Sequence, residues 1–208
     1  MILTYDKGRK DKIHISVDGE YTMTVDAVFW YSLGIPNKSE IDEDELAELK
    51  RSVNFRRAYN KAIDLLSRRE HSRKEIITKL SQRGYADIAG ETADELEEKG
   101  YLDDERFAAL FAEELKARRK FGKRRISQEL RLKGIDKNII ASVLEELEEN
   151  PLEEIIEILS LKYPNCLDDE KSANRAFNGL VRLGYSGYEI RNALREYADR
   201  LDESPDGE

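Results

Sequence analysis

The residues of this chain that could recognise a partner fall into two basic clusters. One comprises Arg68, Arg69, Arg73 and Lys74, and the other comprises Arg118, Arg119, Lys120, Lys123, Arg124 and Arg125. Arginine presents a planar fork of donors that binds phosphate or carboxylate in a bidentate manner. A plain solvated face is the competing interpretation of each cluster. Because the second cluster repeats the first about 50 residues later, we favour a surface for a polyanion or an acidic protein.

The corresponding position another 50 residues later is not a basic cluster. Residues 172–175 read Ser-Ala-Asn-Arg and carry a single charge. Aromatic residues rarely interrupt the basic clusters, with Phe121 as the exception, so stacking of bases on a single strand is the weaker interpretation.

Residue types suited to catalysis are few and scattered. His14 and His71 have no visible partner, and the sole cysteine, Cys166, is expected to be inert. The acidic pairs Asp103-Asp104 and Asp168-Asp169 precede helical segments, where capping explains carboxylates better than acid–base work. With no phosphate loop, dinucleotide motif or zinc spacing, we expect no enzyme, no metal and no cofactor.

The composition favours an elongated, helical protein. Of 208 residues, 39% are hydrophobic and 38% are charged, and the net charge is −9. Charge comes in alternating blocks: residues 116–133 hold nine Lys or Arg against one Asp or Glu, whereas residues 87–114 hold two against eleven. One cysteine and the lack of a membrane-length apolar run predict a soluble, cytoplasmic protein.

The N-terminal region carries a strand pattern. Residues 12–17 and 21–25 alternate polar and apolar side chains, and Asp18-Gly19 between them suits a type I′ turn. Residues 2–5 could add a third strand, and a short helix is expected after Asp26. Ser39 or Asp42 is then expected to cap the first long helix.

The rest of the chain is helical and repetitive. Ile76, Leu80, Gly84 and Tyr85 correspond to Ile126, Leu130, Gly134 and Ile135, and again to Ala176, Leu180, Gly184 and Tyr185. Each set predicts a helix with a buried apolar face, closed by a glycine in the left-handed conformation. An amphipathic segment precedes and follows each set, so the period predicts three units of three helices. We therefore expect a β-rich extension at residues 1–38, helical repeats at 39–101, 102–150 and 151–201, and an acidic flexible tail at 202–208.

These residues resemble the RecX family. The resemblance is carried by the segments at residues 66–76, 79–80, 83–85, 100–108, 122–126, 129–130 and 133–135. It is strong over residues 55–150 and weak in the third repeat. Two departures are the missing basic cluster in the third repeat and Lys123, where a proline is common.

The resemblance implies a fold of three tandem three-helix repeats in a curved rod with a small N-terminal β-hairpin extension. It also implies binding in the groove of a RecA recombinase filament on single-stranded DNA, with inhibition of strand exchange and ATP hydrolysis, by a monomer. Two alternatives stay open: a protein that binds DNA directly through a helix-turn-helix, and a helical scaffold with no nucleic-acid role.

Overall fold

The computed structural model describes residues 1–148 and 150–203. In these residues a small sheet and ten helices follow one another as β1 (Ile2–Lys7), β2 (Lys12–Val17), β3 (Glu20–Asp26), α1 (Ala27–Ser32), β4 (Ser39–Glu40), α2 (Glu43–Leu66), α3 (Arg73–Ser81), α4 (Ala89–Glu98), α5 (Asp104–Arg119), α6 (Lys123–Leu132), α7 (Lys137–Glu146), α8 (Pro151–Lys162), α9 (Glu170–Leu183) and α10 (Gly187–Glu203). The protein is mainly α-helical, as its periodicity predicts. No helix in the described ranges combines the length and the apolar character that a membrane crossing requires.

The N-terminal sheet is antiparallel, with strand order β3-β2-β1-β4. Asp18 and Gly19 join β2 to β3, and both have positive φ, 50° and 84°, which a type I′ turn requires. The predicted hairpin, the strand at residues 2–5 and the short helix after Asp26 are therefore confirmed.

The sequence pattern does not predict the fourth strand, β4. Ser39 and Glu40 pair with β1, so Ser39 belongs to the sheet and does not cap a helix. Asp42 caps α2 instead: its side chain accepts a hydrogen bond from the backbone N–H of Glu45, and the Glu45 side chain accepts one from Asp42 in return. Two isolated residues carry no alternation pattern, which is why β4 left no signal.

The long helix α2 packs into two separate hydrophobic cores. Its first half buries Leu49 and Val53 against the sheet, around Trp30. Its second half buries Ala58 and Ala62 against α3 and α4. The sheet and the first helical unit are thus joined by one continuous helix.

Three helical units follow, which we name the first unit (α2–α4), the second unit (α5–α7) and the third unit (α8–α10). Each has its own hydrophobic core. The middle helices α3, α6 and α9 bury Leu80, Leu130 and Leu180 completely, as predicted. The acidic tail predicted for residues 202–208 begins within α10, which continues to Glu203, and residues 204–208 lie outside the described residues.

The glycines at the 50-residue period close the three middle helices alike. Gly84, Gly134 and Gly184 have φ of 85°, 82° and 98°. In each case the next residue donates its backbone N–H to the carbonyl of the buried leucine, at 3.1, 3.1 and 3.3 Å. A side chain at such φ is strained, so glycine suits the position. We call the segments at residues 82–85, 132–135 and 182–185 the glycine turns.

Candidate partner-binding surface

The first basic cluster lies where the first unit meets the second. Ser72, the N-cap of α3, is buried, and its Oγ donates a 2.8 Å hydrogen bond to the carbonyl of Lys133. Lys74 Nζ donates to the carbonyl of Leu132 at 3.2 Å. These carbonyls end α6, where the helix dipole favours donors and positive charge. The approach is close, because a Cβ built on Gly134 would lie 2.6 Å from Lys74 Cδ.

An ionic bridge spans the same joint. Glu75 in α3 accepts hydrogen bonds from Arg69 at 2.9 Å and from Lys133 of the second unit at 2.6 Å. Burial acts to raise the pKa of Glu75, but the hydrogen bonds from Arg69 and Lys133 outweigh it and lower the pKa to about 2. Glu75 is therefore ionised at neutral pH, and its charge is satisfied by both units.

The remaining arginines of the first cluster pair within the first unit. Arg73 donates to Glu97 at 3.1 Å and also to Asp94, and these hydrogen bonds raise the pKa of its guanidinium. Arg68 lies 3.2 Å from Asp64, one helical turn earlier. The structure thus places Arg68, Arg69, Arg73 and Lys74 in internal contacts and does not gather them into one open surface.

The start of α6 meets the third unit in the corresponding way. The backbone N–H of Gly122, the buried N-cap of α6, donates to the carbonyl of Leu183 at 2.9 Å. A Cβ built on Gly184 would lie 2.5 Å from the backbone nitrogen of Arg125, and one built on Gly122 would lie 3.0 Å from the carbonyl of Gly184. Backbone here packs on backbone, so small residues are needed on both sides.

Ion pairs across this second joint use part of the second basic cluster. Lys120 lies 2.9 Å from Glu157, and Lys116 lies 3.1 Å from Glu154. The hydroxyl of Tyr185 donates to Glu154 at 3.1 Å and lies 3.2 Å from the carbonyl of Lys120. The sequence separates these groups by up to 65 residues, and the joint brings them together.

The second unit also carries an open cleft, which we call the basic cleft. Its volume is about 730 Å³. It is lined by Phe111, Glu114, Leu115, Arg118, Arg119, Phe121, Arg125, Glu129 and Lys133. Four of these side chains are cationic and two are acidic, so the cleft is positive overall.

Aromatic rings hold two of the cations in the basic cleft. The guanidinium of Arg125 lies 5.5 Å from the ring centre of Phe121, and Lys133 Nζ lies 5.3 Å from that of Phe111. Arg125 also pairs with Glu129 at 2.6 Å. The cations are thereby positioned before any ligand arrives.

Three arginines of the second cluster remain exposed. Arg118 pairs with Glu114 at 3.2 Å, but 78% of its side chain is accessible. Arg119, at the end of α5, and Arg124, in the first turn of α6, are exposed and make no ion pair with other described residues. Lys123 is half-buried at the first position of α6. The structure therefore brings Arg118, Arg119 and Arg125 to the cleft and places Arg124 on the surface of α6.

The residues weighed for catalysis have structural roles. His71 is buried, its Nδ1–H donates to the carbonyl of Arg69 at 3.0 Å, and burial lowers its pKa. Asp103 and Asp169 cap α5 and α9, as predicted. Cys166 is buried, which raises the pKa of its thiol. Among the described residues, no group of three His, Cys, Asp or Glu side chains is arranged to hold a metal ion.

Sequence reasoning missed two contributors to the basic cleft. Lys133 is the C-cap of α6 and lies in the glycine turn, and the sequence indicated only its place at the end of a basic block. Phe111 follows Phe107 by one helical turn and stacks on it with ring centres 5.4 Å apart. A half-buried aromatic next to a basic cluster was the available signal.

Two family models match the chain. One, for the second three-helix domain of RecX, matches residues 103–144, and one for the first three-helix domain of RecX matches residues 58–96. These ranges fall within the second and first units and contain both glycine turns of those units. Each family model therefore matches helices of a single unit.

Full-length relatives and solved structures agree with these matches. The chain is 32% identical to the regulatory protein RecX of Caldanaerobacter subterraneus over 88% of this chain and 91% of that protein. It is 28% identical to the regulatory protein RecX of Bacillus licheniformis over 93% of this chain and 75% of that one. A crystal structure of a regulatory protein RecX superposes with a TM-score of 0.72 at 21% identity, covering 93% of this chain and 98% of the other. RecX from Lactobacillus salivarius superposes with a TM-score of 0.61 at 22% identity, covering 70% and 97%.

Proposed function

The chain belongs to the RecX family of regulatory proteins, and we propose that it binds the RecA filament on single-stranded DNA and inhibits or modulates strand exchange and ATP hydrolysis. It acts by binding, as a monomer in the cytoplasm, without a catalytic residue or cofactor. The observation that carries the proposal is the basic cleft, which the exposed Arg119 lines, in a chain of net charge −9. The exposed Arg124 directly precedes Arg125, another residue that lines the cleft.

The chemistry of the basic cleft suits a nucleoprotein. Arg118 and Arg119 line it with exposed guanidinium groups that can form paired hydrogen bonds to phosphate or to carboxylate. Phe111 and Phe121 make its floor partly apolar. A filament of protein on DNA offers both kinds of anion, and complementary charge raises the association rate and fixes register.

Direct reading of DNA by a helix-turn-helix has less support. In that arrangement the N-terminal residues of the recognition helix contact base edges in the major groove. The helices with the expected basic start are α3 and α6, and their N-caps Ser72 and Gly122 are buried against the following unit. Those helix starts cannot lie in a DNA groove and in the joint at once.

The test reverses the charge of Arg119 and Arg124, the two exposed arginines of the second cluster that form no ion pair with other described residues. We expect Arg119→Glu/Arg124→Glu to weaken binding to RecA filaments on labelled single-stranded DNA by about tenfold or more, since each lost charge-assisted hydrogen bond contributes ~1.5–3 kcal/mol. Inhibition of strand exchange should fall in parallel. Arg125 is left unchanged because its backbone packs against Gly184 in the joint.

The matched control is Arg191→Glu/Arg195→Glu. Both arginines are exposed on α10, one helical turn apart, so the change in net charge is the same. This control should bind filaments like the unmodified chain. Equal binding by both double variants would refute the basic cleft as the contact. Binding to bare DNA as tight as to filaments would favour a direct DNA-binding protein, and binding to neither would favour a scaffold.

A further inference from the structure

Two of the three glycine turns receive a helix start from the preceding unit. In the second unit the carbonyls of Leu132 and Lys133 accept hydrogen bonds from Lys74 and Ser72. In the third unit the carbonyl of Leu183 accepts one from Gly122. The glycine turn is therefore the surface by which this fold binds an incoming helix.

The two glycine turns that bind a helix start show which residues such a helix needs. The incoming helix has a small N-cap, either Ser72 or Gly122, because the approach leaves little space. In the first joint its second helical residue, Lys74, donates to a turn carbonyl. Its third, Glu75, pairs with the cation that precedes the glycine, Lys133. In the second joint the third residue is Arg125 and Leu183 precedes the glycine. The pattern of a small residue, any residue, a basic residue and an acidic residue therefore belongs to a turn with a cation before its glycine, as in the first joint.

The first unit has the same turn without an occupant. The equivalent carbonyls belong to Gln82 and Arg83, and neither accepts a hydrogen bond from another described residue. A Cβ built on Gly84 would meet no atom within 4 Å, whereas those on Gly134 and Gly184 would collide with the incoming helix. Arg83 corresponds to Lys133, so a cation is also in place.

Neither DNA nor the middle helices of a second copy of this chain suit the open turn. Carbonyls at the end of a helix carry partial negative charge, which disfavours phosphate. Within this chain the basic starts of α3 and α6 are already bound. In α9 the residue equivalent to Ser72 is Ser172, which lies inside the helix because α9 begins at Glu170.

We propose that the glycine turn of the first unit, at Gln82, Arg83 and Gly84, binds the start of an α-helix in the recombinase protein of the filament. That helix has a small N-cap and then a basic second and an acidic third residue. The inference rests on the proposed function, since it takes the RecA filament as the partner. It adds a contact to protein that is separate from the basic cleft.

The experiment fills the open turn with the side chain that strains this backbone conformation least. Gly84→Asn keeps the left-handed conformation, which asparagine tolerates better than other side chains, and places a side chain where the incoming helix must lie. Gly100→Asn is the matched control, because Gly100 also has positive φ, 71°, and open space around it. The probe is the RecA filament on labelled single-stranded DNA, with bare single-stranded DNA alongside.

We expect Gly84→Asn to weaken filament binding at least tenfold, the effect of losing one neutral and one charge-assisted hydrogen bond, while Gly100→Asn and binding to bare DNA stay unchanged. Filament binding by Gly84→Asn at the level of Gly100→Asn would overturn the inference. If Arg119→Glu/Arg124→Glu still loses binding in that case, the proposed function survives alone. If the unmodified chain does not bind filaments, both the proposed function and this partner are refuted.

Discussion

Glu75 gives the clearest physical test of the joint between the first and second units. Its carboxylate is bound by Arg69 from its own unit and by Lys133 from the next, and only 14% of its side chain is exposed. Replacing it by glutamine keeps the shape and removes the charge. We expect Glu75→Gln to destabilise the protein at neutral pH and to remove part of the acid sensitivity of the joint.

The magnitude follows from the pKa of Glu75. A carboxyl with a pKa of 4.5 in the unfolded chain and about 2 in the folded chain would contribute ~3 kcal/mol at neutral pH, since a tenfold change in proton affinity is ~1.4 kcal/mol. Arg69 is 52% exposed, so solvent screens its share and we expect about 1–2 kcal/mol. Because the folded pKa is the lower one, this contribution is present above pH 4.5 and is lost as the pH falls from 4.5 to 2.

The assay is urea unfolding of both proteins at several pH values between 7 and 2. The stability difference between the unmodified chain and Glu75→Gln should be largest near pH 7 and should close as the pH approaches 2. Glu91→Gln is the control, because Glu91 pairs with Arg51 on the open surface, where both side chains are more than half exposed. A constant difference across the pH range would refute the assignment of the joint's acid sensitivity to Glu75.

Two further substitutions test the core and the joint. Leu130→Ala should lower the free energy of urea unfolding by about 2–5 kcal/mol, because Leu130 is fully buried in the second unit; a loss within ~0.5 kcal/mol would mean that the buried face is wrong. Gly134→Asn should speed amide hydrogen exchange at Arg73 and Glu75, whose backbone N–H groups are hydrogen-bonded at this joint, because its side chain displaces Lys74 from the glycine turn. Gly84→Asn has the same φ without an occupant, so equal exchange in both variants would contradict the docking.

Periodicity predicted the units because each one is held together by local contacts. Leu80, Leu130 and Leu180 recur at the same spacing before Gly84, Gly134 and Gly184, and the structure buries every leucine and gives every glycine a positive φ. Local rules were sufficient there, since a helix face and its closing glycine lie within a few residues of each other.

The joints could not be predicted in the same way. Ser72 and Lys133 are 61 residues apart, and their contact depends on how one unit lies against the next. The basic clusters were therefore interpreted as open surfaces, although Lys74 and Lys120 are used in joints. A charge count shows where cations are, but not which of them already have internal partners.

The joints also explain why the third position of the repeat is not basic. At both joints a helix start binds the turn of the next unit, through Ser72 and Lys74 in one and through Gly122 in the other, and among the described residues the start of α9 makes no such contact. Accordingly α9 begins three residues earlier than the period requires, with Asp169 as its N-cap, and Ser172 donates its hydroxyl to Asp169. The first unit differs from the third in this respect. Its glycine turn has the same positive φ at Gly84 and the same closing hydrogen bond from Tyr85 to Leu80 as the turns that bind a helix start. Among the described residues, the glycine turn at Gly84 is therefore the one that can still receive a helix start from a partner.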